Sequence, residues 1–144
     1  MFIGSGPELS SILSKVRGME MRLELVMVPV TDVDRARDFY AQVGFTIDHD
    51  QTVSDDIRFV QLTPPGSACS IAIGRGLTGM QAGSLDNLQM VVADADATHA
   101  DLVARGIECE GVAELAWGRF VSMADPDGNR WSLQQLPDWS ASAG

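Results

Sequence analysis

Apolar and polar positions along this chain follow two periods, and the two take turns twice. Residues 23–30 form a run rich in branched apolar side chains, which predicts a buried strand. Thr31 or Asp32 then caps a helix whose apolar face is Val33, Ala36, Phe39, Tyr40 and Val43, and Gly44 ends it. Three further strands are predicted at residues 45–50, 57–62 and 68–74, with Pro64-Pro65-Gly66 turning between the last two. A glycine-rich connector covers residues 75–84. The order then recurs: a strand at 87–92, a helix at 94–105 ended by Gly106, and strands at 107–112, 119–123 and 130–135. Asp125-Pro126-Asp127-Gly128 makes the final turn.

The recurrence has a fixed interval. Val30-Thr31-Asp32-Val33-Asp34 returns as Val92-Ala93-Asp94-Ala95-Asp96, and Gly44, Pro64, Gly66 and Ser70 return 62 residues later as Gly106, Pro126, Gly128 and Ser132. Such self-similarity marks a duplicated structural unit. The predicted architecture is α+β: two tandem βαβββ modules, residues 21–80 and 84–138, forming a curved mixed sheet around a cavity within a single domain, 21–138. Half-size modules bury little surface alone, so they are expected to pack together. Ahead of them, Leu9, Ile12, Leu13 and Val16 predict a short amphipathic helix within an N-terminal extension, residues 1–20. A small polar tail, residues 139–144, closes the chain.

Composition narrows the partners. The 144 residues carry 10 basic against 20 acidic side chains, a net charge of −10, which argues against nucleic acid. No apolar run approaches the ~20 residues of a membrane span, and no secretory signal is evident. Cys69 and Cys109 fit no CxxC pattern and are expected as buried structural thiols in a reducing, cytoplasmic setting.

The paired βαβββ pattern, the strand–Asp-x-Asp–helix junctions and the closing Asp125-Pro126-Asp127-Gly128-Asn129-Arg130-Trp131 resemble the vicinal oxygen chelate superfamily. That superfamily includes glyoxalases, bleomycin resistance proteins and extradiol dioxygenases. The resemblance covers about residues 22–136 and bears on fold more than on activity. In metal-using members it implies a divalent ion held from the first and last strands of each module. The first-strand positions, seven residues before Asp32 and Asp94, are Leu25 and Asn87; the last-strand positions, four after each turn glycine, are Ser70 and Ser132. Leucine cannot coordinate, and neutral serine and asparagine are poor substitutes for His and Glu. His49 and His99 have no partner at ligand spacing. No metal or other cofactor is therefore expected.

Strand parity lists the neighbours of those four positions. The expected ligand-binding surface is Leu25, Met27, Phe59, Ser70, Asn87, Gln89, Phe120, Ser132 and Gln134, with Trp117 at the rim. It holds aromatic walls and neutral hydrogen-bonding groups but no carboxylate, histidine or lysine to serve as acid or base. Gln89 and Gln134 have a second reading, as a pair satisfying one another within the sheet. Trp131 shares the parity of Leu133 and is expected beneath a helix, and Asp125 and Asp127 are expected as turn residues.

The expected function is metal-independent binding or sequestration of a small organic ligand by a homodimer, as the resemblance to the bleomycin-resistance branch implies. The alternatives are a metal-dependent lyase or dioxygenase of the glyoxalase type, and a metal-free isomerase or cyclase. A further possibility is a subunit whose N-terminal helix serves as an interface. The sequence leaves open whether the cavity lies within one chain or between subunits.

Overall fold

The computed structural model describes residues 19–138. The helix expected around Leu9–Val16 and the tail with Trp139 lie outside them. The first module contains β1 (Leu25–Met27), α1 (Val33–Val43), β2 (Thr46–Thr52), β3 (Arg58–Thr63) and β4 (Ser70–Arg75). The second contains β5 (Leu88–Val91), α2 (Ala95–Ala104), β6 (Ala113–Leu115), β7 (Gly118–Ala124) and β8 (Arg130–Gln135). Each module forms its own four-stranded mixed sheet, in the orders β1-β4-β3-β2 and β5-β8-β7-β6. The first and fourth strands of each module run parallel, and the other pairs are antiparallel. Two βαβββ modules are thus present, as the duplication requires.

Local chemistry sets the helix ends. Asp32 and Asp94 are the N-caps, accepting from the N–H groups of Arg35 and Ala97 at 3.0 and 3.1 Å. Gly44, with φ of 125°, closes α1. One expected strand is displaced. Residues 107–112 make only an isolated bridge, Cys109 to Met123, and the edge strand is β6, further along. Ile107 is buried, so the apolar signal there reports core packing rather than a ladder. Cys69 and Cys109 are free and half-buried rather than fully enclosed, and burial pushes the Cys109 thiol pKa up.

A single core joins the modules through their helix-bearing faces. Val28, Val60, Leu62, Ile71 and Ile73 of the first sheet meet Val33, Ala36 and Tyr40 of α1. The same cluster continues into Leu102 of α2 and Val121, Met123, Trp131 and Leu133 of the second sheet. Trp131 lies in this core, its ring centroid 5.8 Å from those of both Tyr40 and Phe45. Aromatic edge-to-face contacts of this kind add about 0.5–1.5 kcal/mol beyond area burial.

Polar bonds lock one side of this junction. Asp125, 5% exposed, accepts from the Tyr40 hydroxyl at 2.8 Å and from Asn129 Nδ2 at 2.8 Å. Its other oxygen accepts from the N–H groups of Asp127 and Asn129. Asn129 Nδ2 also donates to the Pro29 carbonyl at 2.8 Å, and the Thr31 hydroxyl donates to Asp127 at 2.7 Å. Burial and the neighbouring Asp125 carboxylate push the Tyr40 pKa far above its ordinary value, so the phenol stays a donor. Gly83 passes so close that a Cβ there would stand 2.1 Å from the Asp127 carbonyl oxygen. Asp125 and Asp127 are therefore turn and junction residues.

Candidate functional site

Because the helix-bearing faces meet in the core, the opposite faces of the two sheets point outward. Strand alternation assigns Leu25 and Met27 of β1, Phe59 and Gln61 of β3, and Ser70 and Ala72 of β4 to the outward face of the first sheet. Gln89 and Val91 of β5, Phe120 and Ser122 of β7, and Ser132 and Gln134 of β8 take the outward face of the second. The ten expected residues are thus brought together as two groups. Leu25, Met27, Phe59 and Ser70 form one; Asn87, Gln89, Trp117, Phe120, Ser132 and Gln134 form the other. The two groups do not face each other across a cavity within one chain.

On the second sheet the polar side chains bond to one another. Gln89 Nε2 donates to Gln134 Oε1, and Gln134 Nε2 donates to the Trp117 carbonyl at 2.7 Å. Gln134 is 6% exposed, so this relay satisfies a buried amide while tethering the turn that carries Trp117. The Trp117 ring is 58% exposed beside it. Ser132 Oγ donates to Asn87 Oδ1 at 3.2 Å. The pairing of Gln89 with Gln134 read from the sequence is present, and it leaves the Trp117 and Phe120 rings and the Val91 side chain as apolar surface available to a ligand.

The register corrects the equivalence of Leu25 and Asn87. Leu25 stands opposite Ser70 in the first sheet, whereas Gln89 stands opposite Ser132 in the second. The cause is a shorter passage from strand to helix. Val28 donates to the Ala72 carbonyl and Val92 to the Gln134 carbonyl, yet the N-caps are Asp32 and Asp94. The first module therefore has two extra residues between strand and cap, occupied by the Pro29 segment that Asn129 grips. Asn87 precedes β5 and reaches Ser132 only through its side chain.

The first sheet holds groups that parity alone did not place there. Thr63 Oγ1 donates to Asp48, and Ser70 Oγ lies 2.7 Å from Thr63 Oγ1. The one Thr63 hydrogen is committed to Asp48, so Ser70 donates. An irregularity in β2 between Ile47 and His49 sets His49 opposite Gln61, on the outward face. The expectation that this face carries no carboxylate or histidine is thereby corrected. A bulge reverses side-chain alternation, and nothing in the sequence of β2 announces one. His49 sits on the far edge strand, three strands from Leu25, or about 14 Å at the usual strand spacing.

The donor set does not suit a divalent metal. The positions at which the superfamily resemblance places ligands hold Leu25, Ser70, Ser132 and either Gln89 or Asn87, all uncharged. Among the described residues, no three His, Cys, Asp or Glu side chains gather closely enough to hold an ion.

Charged groups cluster elsewhere. Arg58 grips Asp50 at 3.0 and 2.9 Å and Asp34 at 2.8 Å, and Arg37 reaches Asp50 at 2.9 Å. The Arg58 hydrogen bonds hold the Asp50 carboxyl below its ordinary range. Near α2, Arg119 pairs with Asp96 at 2.6 Å. These ion pairs lie on the helix side and the sheet edge; the ionisable groups on the outward faces are Asp48 and His49 at the β2 edge and Arg130 at the start of β8, which lies 3.8 Å from Asp86. No described helix is long and apolar enough to cross a membrane.

Solved structures share this architecture. TnmS3, an antibiotic binding protein from Streptomyces sp. CB03234, is 35% identical and superposes with a TM-score of 0.74 over 82% of this chain and 98% of that one. A glyoxalase/bleomycin resistance protein from the same organism is 36% identical, with a TM-score of 0.69 over 79% of this chain and all (100%) of that one. Among curated proteins, the uncharacterized protein YetH of Bacillus subtilis (strain 168) is 26% identical over 122 residues, 81% of this chain and 100% of its own. The family model for the Glyoxalase/Bleomycin resistance protein/Dioxygenase superfamily matches residues 22–133, which runs from the start of the first module to Leu133 of β8. The chain belongs to that superfamily.

Proposed function

We propose that this protein binds a small organic molecule without a metal, sequestering it in a site completed between two copies of the chain. The observation that carries the reading is the chemistry of the outward faces: aromatic and thioether surface from Met27, Phe59, Trp117 and Phe120 beside neutral serine and amide groups. Ligand pockets are typically apolar with a few orienting polar groups. The likeness to an antibiotic binding protein, at 35% identity, favours the same class of ligand.

Each outward face is half a wall. Val91 is 62%, Leu23 73% and Met21 81% exposed, which is much apolar surface for a monomer to leave uncovered. A second copy, turned so that its second-module face covers the first-module face, closes two equivalent clefts at once, as an isologous dimer does. We take the protein to work in the cytoplasm, where its two thiols remain reduced.

The test is a thermal-shift screen of EDTA-treated protein against aromatic antibiotics. A ligand present at 100 times its Kd adds about 2.7 kcal/mol, a rise on the order of 5–10 °C for a chain of this size. Stabilisation by metal-free protein supports the reading; stabilisation that appears only after zinc, manganese or iron is added contradicts it. A metal-free isomerase or cyclase is the second reading, favoured by His49 and Asp48 on the first sheet's face. It requires turnover of a bound ligand that His49→Ala abolishes while leaving affinity intact.

A further inference from the structure

The two modules are related by duplication, but the two sides of their junction are not alike. On one side the Asp125–Asn129 turn is bonded into the opposite module through Tyr40, Thr31 and Pro29. The matching turn of the first module, residues 63–67, faces the second module with different chemistry. At the 62-residue interval Asp125 corresponds to Thr63, Asp127 to Pro65 and Asn129 to Ser67. Across the junction, Tyr40 corresponds to Leu102 and Thr31 to Ala93. Leu102, Ala93 and Pro65 have no hydrogen-bonding side chain, and the side-chain bonds of Thr63 and Ser67 stay within the first module.

The consequence is a gap. Where the clamp is missing, a cleft of about 850 Å³ opens between Pro64–Ser67, Val43 and Phe45 of the first module and β5 and α2 of the second. Its floor is core: Phe45, Leu102 and Leu133 are each 3–5% exposed. The volume falls within the range of about 300–1,000 Å³ seen for small-molecule sites, and the walls are mainly apolar. The charges on its rim are of one sign. Asp94 and Asp101 line it, with no Lys, Arg or His among the lining residues. Asp94 caps α2 through one oxygen, and Arg105 engages Asp101 at 3.1 Å from outside the cleft.

We propose that this inter-module cleft, which meets the second outward face only at Gln89 and Val91 of the edge strand β5, is a second ligand site that takes a compact apolar molecule carrying a cationic amine. The apolar body lies over Phe45, Leu102 and Leu133, and the ammonium is drawn to the Asp94 and Asp101 rim by short-range attraction added to the field of a chain with net charge −10. An anion of the same shape meets the same walls and is repelled at the rim. The site is independent of the proposed function: either can fail without the other.

The probes are 1-naphthylmethylammonium and 1-naphthalenesulfonate, titrated into isotope-labelled full-length protein and followed by NMR. The ammonium is expected to bind saturably, moving the signals of Phe45, Val92, Ala97 and Leu102, and the sulfonate to bind at least about tenfold more weakly. Ala97, exposed on α2, allows a filling variant; Ala97→Trp is expected to weaken the ammonium about tenfold or more. Asp101→Asn, at an exposed site that leaves packing untouched, narrows the gap between the two probes. Ser132→Trp, which obstructs the second outward face, leaves the ammonium affinity within about twofold. The proposal is overturned if the shifts map to Phe59, Phe120 and Ser132 instead, or if Ala97→Trp and Asp101→Asn both leave affinity unchanged. It is equally overturned if Ala97→Trp changes the mass seen by light scattering, since the cleft is then a contact with another copy.

Discussion

The Asp125–Asn129 turn and the Pro64–Ser67 turn hold matching places in the two modules, yet only one is bonded across the junction. Asp125 is buried and accepts from Tyr40 and three partners in its own turn, and Asn129 and Asp127 reach Pro29 and Thr31. The described backbone and side-chain bonds of Pro64–Ser67 stay within the first module. One backbone plan thus yields two interfaces, one fastened by polar groups and one left as an apolar cleft. The lesson is that duplication fixes where turns fall, while a few side chains decide whether a junction is sealed.

The sharpest way to break this contrast is Asp125→Ala. It leaves the Tyr40 hydroxyl, the Asn129 amide and two backbone N–H groups without their acceptor, and is expected to cost about 3–5 kcal/mol in urea unfolding. The matching change on the open side, Thr63→Ala, is expected to cost less, about 1–2 kcal/mol, because among the described residues its side chain bonds only to Asp48 and Ser70, of which Ser70 alone is buried. Next is Gly83→Ala. A methyl at φ of +78° and 2.1 Å from the Asp127 carbonyl forces the connector off the turn, at about 2–3 kcal/mol. Tyr40→Phe keeps the ring packing and removes only the hydroxyl between Trp131 Nε1 and Asp125, for about 1–2 kcal/mol.

The smallest effect is at the exposed ion cluster. Asp50→Asn is expected to cost about 1 kcal/mol or less at pH 7. The folded-state pKa of Asp50 is depressed, so its contribution is present above about pH 4 and is lost as the pH falls through the folded value. Wild type and Asp50→Asn therefore converge in stability on acidification.

Much of this was legible in the chain. The helix caps Asp32 and Asp94, the terminating Gly44 and the orientation of Trp131 follow from local chemistry and strict alternation, which tertiary contacts rarely override. Three features were not legible. The irregularity in β2 that carries His49 to the outward face depends on pairing geometry, not on residue type. The register that sets Gln89 rather than Asn87 opposite Ser132 depends on how far Pro29 is drawn toward Asn129, a contact 100 residues distant. The back-to-back packing of the modules is set by which faces share the core, and the sequence period is the same whether the cavity lies within a chain or between chains.

That last point is the centre of the account, and a complementation experiment tests it most directly. Leu25→Trp obstructs the outward face of the first module and Ser132→Trp that of the second, so each homodimer has both clefts blocked. If each cleft joins the first module of one copy to the second module of another, a mixed dimer gathers both obstructions in one cleft and leaves the other intact. Calorimetry with the strongest stabiliser from the metal-free screen is then predicted to show no binding to either variant alone. After the two are unfolded and refolded together, it is predicted to show one site per mixed dimer at wild-type affinity. Mixed dimers that remain unable to bind would contradict the account, because a site contained within one chain cannot be restored by a partner.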